Sequence, residues 1–172
     1  QGYSRESGIP LAPAFVKNKY VGRSFILPDK VKRENAVNIK LNPIRSTVEG
    51  KRIVLIDDSI VRSTTSTRII KMLRKAGAKE VHMRISSPPF KYECYFGTDI
   101  DDRDKLVANH YDVDGICKKI GADSLEYLSL ENLKAISPNT TFCLGCFTGD
   151  YPAPVTPMFK HTFDDSGKND KR

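Results

Sequence analysis

Near the middle of the chain, Ile53-Val54-Leu55-Ile56 forms a short, β-branched apolar run between Arg52 and the acidic pair Asp57-Asp58. A continuous run of this length is the pattern of a strand covered on both faces in a parallel sheet. A polar stretch from Ser59 to Thr65 follows, interrupted by Ile60 and Val61. From Ser66 to Ala76 the apolar positions Ile69, Ile70, Leu73 and Ala76 recur at helical spacing, and Gly77 supplies a stop. Glu80 to Ile85 alternates between polar and apolar residues, which predicts a half-buried strand. Residues 52–86 therefore read as strand, loop, helix, strand. That order implies a right-handed crossover between parallel strands, and with it an open, mostly parallel α/β sheet with flanking helices.

The flanks are less regular. Ile9 to Val16 reads as a short strand entry and Val21 to Ile26 as a second strand. Residues 28–51 read as a flexible basic loop with at most weak structure: Lys30, Lys32, Arg33, Lys40, Arg45 and Lys51 outnumber Asp29, Glu34 and Glu49, and Pro28 and Pro43 act as breakers. Beyond Ser87-Pro88-Pro89, short helices are predicted at Asp102–Ala108, Val113–Ile120 and Leu130–Ile136, the second stopped by Gly121. The expected organisation is a core over 1–100, a helical, cysteine-bearing region over 101–159, and a polar, disordered tail over 160–172.

Composition narrows the class. The chain has 172 residues, of which 39% are hydrophobic, and four cysteines. Those values exclude intrinsic disorder, collagen and a disulfide-stapled miniprotein. No apolar run reaches the ~20 residues of a membrane helix. The opening Gln1-Gly2-Tyr3-Ser4-Arg5-Glu6-Ser7 has no signal-like apolar region, so a cytoplasmic protein with free or metal-binding thiols is expected. The missing initiator Met points to part of a longer protein. With 28 Lys+Arg against 21 Asp+Glu the net charge is +7, which favours anionic partners. Aromatics that could stack bases beside the basic run are limited to Tyr20 and Phe25, which argues against nucleic acid. No phosphate-binding Gly-x-x-x-x-Gly-Lys or dinucleotide Gly-x-Gly-x-x-Gly is present, and His82, His110 and His161 are scattered.

The chemistry concentrates after the first central strand. Asp57 and Asp58 stand where it ends, and ligands of open α/β sheets bind at the carboxyl ends of strands. Two adjacent carboxylates there can hold ribose hydroxyls or a hydrated Mg²⁺. The hydroxyl-rich turn Ser59-Ile60-Val61-Arg62-Ser63-Thr64-Thr65 leads into a helix, whose N-terminal amides suit a phosphate. Together they suit a phosphorylated ribose.

This segment, Val54-Leu55-Ile56-Asp57-Asp58-Ser59-Ile60-Val61-Arg62-Ser63-Thr64-Thr65, resembles the phosphoribosyl-pyrophosphate (PRPP) motif of type I phosphoribosyltransferases. Its Asp-Asp-Ser-Ile-Val-Arg form is that of the glutamine PRPP amidotransferase family. Asn18 to Ile26 and Ile120 to Leu125 are similar to that family as well, and the resemblance runs from about Gly2 to Tyr151. One position departs: the family usually has Gly where this chain has Ser63.

The resemblance implies a type I phosphoribosyltransferase fold whose first strand lies before Gln1. It implies displacement of pyrophosphate from PRPP by ammonia to give 5-phosphoribosylamine, at the first step of purine synthesis. It places Asp57 and Asp58 on the sugar and Mg²⁺, residues 59–65 on the 5-phosphate, and Lys40 and Arg45 in a loop that folds over PRPP. Arg23 reads as structural. No individual catalytic residue is assigned.

Glutamine would be hydrolysed in an N-terminal domain before Gln1, so the chain alone is expected to be inactive with glutamine. Purine nucleotides as feedback inhibitors and a homo-oligomeric state are also implied.

Cys143-x-x-Cys146 is by spacing half of a metal site, and Cys94 and Cys117 are isolated. In the iron–sulfur form of the family, Cys94, Cys143 and Cys146 match ligands of a [4Fe–4S] cluster whose fourth ligand lies upstream. Cys117 matches none and reads as structural. Two rival readings remain: another type I phosphoribosyltransferase acting on a base, and a non-catalytic PRPP- or nucleotide-sensing module.

Overall fold

A computed structural model describes residues 1–17, 41–98, 100, 102–136, 138 and 142–155. After a short helix α1 (Gly2–Ser7), strand β1 (Phe15–Lys17) pairs antiparallel with β2 (Leu41–Pro43), Phe15 opposite Pro43 and Lys17 opposite Leu41. A one-turn helix α2 (Arg45–Val48) leads into β3 (Arg52–Asp57), α3 (Thr64–Lys75) and β4 (Glu80–Ile85). Two 3-10 turns (Arg103–Lys105 and Val107–Asn109) precede α4 (Val113–Ile120), β5 (Ser124–Tyr127), α5 (Leu130–Ala135) and α6 (Gly145–Thr148). Strands β3, β4 and β5 form a parallel sheet in that order, with Arg52 opposite Glu80 and His82 opposite Ser124.

The alternation read in β4 is what builds the core. Val81, Met83 and Ile85 are buried, and they meet Ile70 and Leu73 of α3, Ile116 and Ile120 of α4, and Leu125 of β5. Burying an aliphatic side chain of this size stabilises by about 1.5–3 kcal/mol, so this layer dominates the stability of the described residues. Helix α4 starts where the Asp112 carboxylate accepts the Gly115 N–H at 2.7 Å, and it stops at Gly121, whose φ of 79° closes the last turn onto Cys117 and Lys118 carbonyls.

Several expectations change. Strand β3 is not fully covered on both faces: Ile53 and Leu55 pack on the core, whereas Ile56 is 46% exposed; the strand is also an edge of the described sheet. An apolar run reports affinity for a covered face, not which neighbour covers it. In the basic segment, residues 28–40 lie outside the described residues, but 41–51 are not a loop. They form β2 and α2, and Val48, fully buried, joins the main core. The helix expected over 102–108 is two 3-10 turns. Strand β5 was not anticipated, because its four residues bury a single side chain, Leu125. The core also crosses residue 100: Val107, Ile116, Ile120 and Leu125 pack with residues of the first half. The strand expected at Val21–Ile26 and the tail at 160–172 lie outside the described residues.

Candidate functional site

Asp57 ends β3 at the carboxyl edge of the sheet. Its carbonyl accepts the Ser86 N–H at 3.0 Å and the Ser86 hydroxyl at 3.2 Å, so the end of β4 fixes the end of β3. Its carboxylate accepts the Asp58 N–H at 3.1 Å. Burial pushes the Asp57 carboxyl up from its ordinary value; the Asp58 N–H opposes this, and the Asp58 side chain adds to the rise through a hydrogen bond and its charge. Asp58 itself is exposed. A half-buried carboxylate crowded by a second one is a pair that a divalent cation or sugar hydroxyls would relieve, so the donor set fits Mg²⁺.

The turn that follows divides its work. Ile60 is buried and belongs to the main core, and Val61 packs on a smaller cluster while its carbonyl accepts the Val107 N–H at 2.9 Å. These two side chains anchor the turn and leave only their backbone to a ligand. Ser63 is buried and left-handed, with φ 65° and ψ −15°, the one positive-φ non-glycine among the described residues. It leads into α3 without a side-chain cap, and Thr64 and Thr65 lie exposed at the helix start. The first turn of an α-helix has no intrahelical partners for its N–H groups and carries the positive end of the dipole. Carboxylates and an uncapped helix N-terminus thus stand on either side of a five-residue turn.

Arg45 is placed elsewhere. It pairs with Glu49 at 3.5 Å and lines a groove of about 620 Å³ with Arg68, Lys71, Met72 and Lys75, along α3 towards its C-terminal end. Lys40 lies outside the described residues.

The thiols fall into two places. Cys94 and Cys146 are half-buried against the cluster of Phe90, Ile100 and Leu106, and Cys143 is exposed. The Cys94 sulfur accepts N–H bonds from Thr98 at 3.2 Å and Gly97 at 3.5 Å. Burial alone would raise this thiol, but the N–H groups of Gly97, Phe96 and Thr98 outweigh it and bring it down to about 7. Cys146 goes the other way: burial, joined by the charges of Cys94 and Cys143, pushes it up to about 11.

Among the described residues no three His, Cys, Asp or Glu side chains converge on a single metal ion. A cluster places each thiolate on a different iron, and N–H bonds to a ligand sulfur are among the groups that tune one. The donor set of three thiols, one of them stabilised as thiolate, fits such a cluster. Cys117 stands apart, its thiol donating to the Ala122 carbonyl at 3.3 Å and raised by burial. Sequence reading missed Ser86, Thr98 and Tyr151; Ser86 carried a signal in its place just beyond a predicted strand, and the other two carried none.

No family model matches the chain. Over 154 residues it is 53% identical to the amidophosphoribosyltransferase of Methanocaldococcus jannaschii, covering 90% of this chain and 33% of that protein. It is 48% identical to the amidophosphoribosyltransferase of Bacillus subtilis, again over 90% of this chain and 34% of the relative. Over 90% of its length this chain is a homologue of part of the amidophosphoribosyltransferases. It spans about a third of the length of these relatives. The solved structure of the B. subtilis glutamine PRPP amidotransferase in complex with ADP and GMP superposes with a TM-score of 0.77 at 48% identity, over 90% of this chain and 35% of that one. The amidophosphoribosyltransferase relationship carries the type I phosphoribosyltransferase reading of the sheet. Among the described residues no helix is long and apolar enough to cross a membrane.

Proposed function

We propose that this chain carries the PRPP-binding part of an amidophosphoribosyltransferase, which forms 5-phosphoribosylamine and pyrophosphate from PRPP and glutamine-derived ammonia in purine synthesis. The observation that carries the reading is the juxtaposition at the end of β3: a crowded carboxylate pair, an anchored turn through left-handed Ser63, and the uncapped start of α3. Asp57 and Asp58 accept hydrogen bonds from the ribose hydroxyls. The backbone of residues 59–63 and the first amides of α3 hold the 5-phosphate, with the Thr64 and Thr65 hydroxyls beside it. Asp57 and Asp58 would also hold Mg²⁺, which offsets charge on the departing pyrophosphate. Positioning and charge stabilisation are the protein's contribution; side-chain acid–base chemistry is not required.

Cys94, Cys143 and Cys146 would hold three corners of an iron–sulfur cluster, which in this reading has a structural role. The ammonia source is a glutaminase domain upstream of Gln1, the enzyme is a cytoplasmic homo-oligomer, and purine nucleotides regulate it. Relatives support the regulatory part to the extent that the B. subtilis enzyme was solved with ADP and GMP.

Calorimetry with PRPP and Mg²⁺ tests the site. Asp57→Asn and Asp58→Asn are each expected to weaken binding by about tenfold or more, the size of a lost charge-assisted contact. Wild-type affinity in both variants removes the site. With the intact protein, ammonia and not a free purine or pyrimidine base is the expected acceptor, which separates this reading from a base phosphoribosyltransferase; a protein that binds PRPP without turning it over would be a sensing module.

A further inference from the structure

Two segments carry the three matched thiols, and neither has enough regular structure to hold itself in place. Cys94 lies in the irregular stretch between β4 and the first 3-10 turn, and Cys143 and Cys146 flank the start of the four-residue helix α6. Backbone bonds stitch the two together: the Cys146 carbonyl accepts the N–H groups of Lys91 at 3.0 Å and Tyr92 at 3.1 Å. Phe147 packs on Phe90 with ring centroids 4.8 Å apart.

Tyr151 closes this arrangement from the other side. Its hydroxyl donates to the carbonyl of Glu93, the residue before Cys94, at 2.7 Å and across 58 positions of sequence. Its ring lies directly on Gly145, between the two cysteines of the pair; a Cβ at 145 would overlap Tyr151 Cδ1 and Cε1. The same ring meets Tyr95 edge-on at 5.1 Å. Burial pushes the Tyr151 hydroxyl up to about 12, so it stays a hydrogen-bond donor at neutral pH.

We propose that Tyr151 is a positioning residue, a clasp that seats the Cys143-x-x-Cys146 segment on the Cys94 turn and so sets how the three thiols are presented to a cluster. The inference rests on the reading of those cysteines as cluster ligands. Two features separate it from ordinary aromatic packing: the hydroxyl reaches the backbone beside one cysteine while the ring covers the glycine beside the others, and the glycine leaves room for that ring alone.

The test uses the intact protein, as wild type, Tyr151→Phe and Gly145→Ala. The first variant removes the hydroxyl and keeps the ring; the second displaces the ring and keeps the hydroxyl. Hydrogen exchange reads the clasp without any metal. In both variants the amides of Lys91 and Tyr92 are expected to exchange roughly fivefold faster, the size of one lost hydrogen bond, with the amides of Met83 and Leu125 in the sheet unchanged. After anaerobic reconstitution with iron and sulfide, both variants are expected to lose iron to a chelator roughly tenfold more readily than wild type, followed by the fading of the visible cluster absorbance. Wild-type exchange at Lys91 and Tyr92 in both variants overturns the clasp, and faster exchange with unaltered iron retention overturns its positioning role. A wild type that takes up no cluster overturns the ligand reading, and the exchange rates then decide the clasp by themselves.

Discussion

Ser63 holds a backbone conformation that L-residues avoid. Its φ of 65° brings the chain out of the Ile60-anchored turn and into α3, and it does so buried, without capping the helix. A non-glycine residue in this region costs about 1–2 kcal/mol, partly offset here because glycine would lose more chain entropy on folding. The departure from the family's usual glycine, visible in the sequence, thus falls at the position where glycine has a physical use. Ser63→Gly is expected to raise stability by about 0.5–1 kcal/mol in urea titration. It is also expected to tighten PRPP binding by calorimetry, because the backbone can then approach the phosphate without a Cβ. Equal or weaker binding would show that the serine is accommodated at no cost to the ligand.

At the scale of elements, what sequence revealed depends on how many side chains each element commits to the core. Strand β4 and helix α3 each bury several residues at regular spacing, and their periodicity was legible. Strand β5 commits Leu125 alone and was invisible, although it is the third strand of the described sheet. The turn from Asp57 to Thr65 was legible as a site because charge, hydroxyls and a helix start follow one another in sequence. That Ile60 and Val61 serve as anchors, and that Arg45 lies along α3 away from the carboxylates, depends on contacts no local pattern encodes.

One such contact ties β5 in. The Asp123 carboxylate, just before β5, accepts the Val81 N–H of β4 at 2.6 Å and an Arg74 N–H of α3 at 2.5 Å. The Val81 N–H and, against the opposing effect of burial, the Arg74 guanidinium hold this carboxyl below its ordinary value. A folded pKa below the unfolded one means stabilisation that is present above the unfolded value near ~4 and disappears as the pH falls through the lower folded value. The pair is about one-third exposed, which discounts the ionic part and leaves the backbone bond as the larger share. Asp123→Ala is expected to cost about 1–2 kcal/mol at pH 7. The difference from wild type should narrow as denaturation is repeated from pH 5 downwards; a constant difference would mean that the carboxylate charge has no part in it.

For the molecule as a whole, the net charge of +7 first read as an attraction for a polyphosphate, with Lys40 and Arg45 near the substrate. The fold qualifies that. Arg45, Arg68, Lys71 and Lys75 line a groove along α3 towards its C-terminal end, and from there their charge reaches an anion at the β3 turn through a field that salt screens within ~10 Å. In the proposed site the backbone, hydroxyls and carboxylates of residues 57–65 are the contacts among the described residues. Turnover asks for more than binding. The proposed reaction needs ammonia delivered at C1 of the ribose and water kept away, and β3, which carries the carboxylates, is an edge of the described sheet with Ile56 46% exposed. This chain matches about a third of its relatives' length, and the proposed reaction takes its ammonia from glutamine. The 172-residue chain by itself is therefore expected to bind PRPP, to show no glutamine-dependent release of pyrophosphate, and to show weak or no release with ammonia. A clear ammonia-dependent turnover by the isolated chain would place the whole transferase chemistry within it, and would mean that the exposure of Ile56 on β3 is no obstacle to excluding water from the reacting carbon.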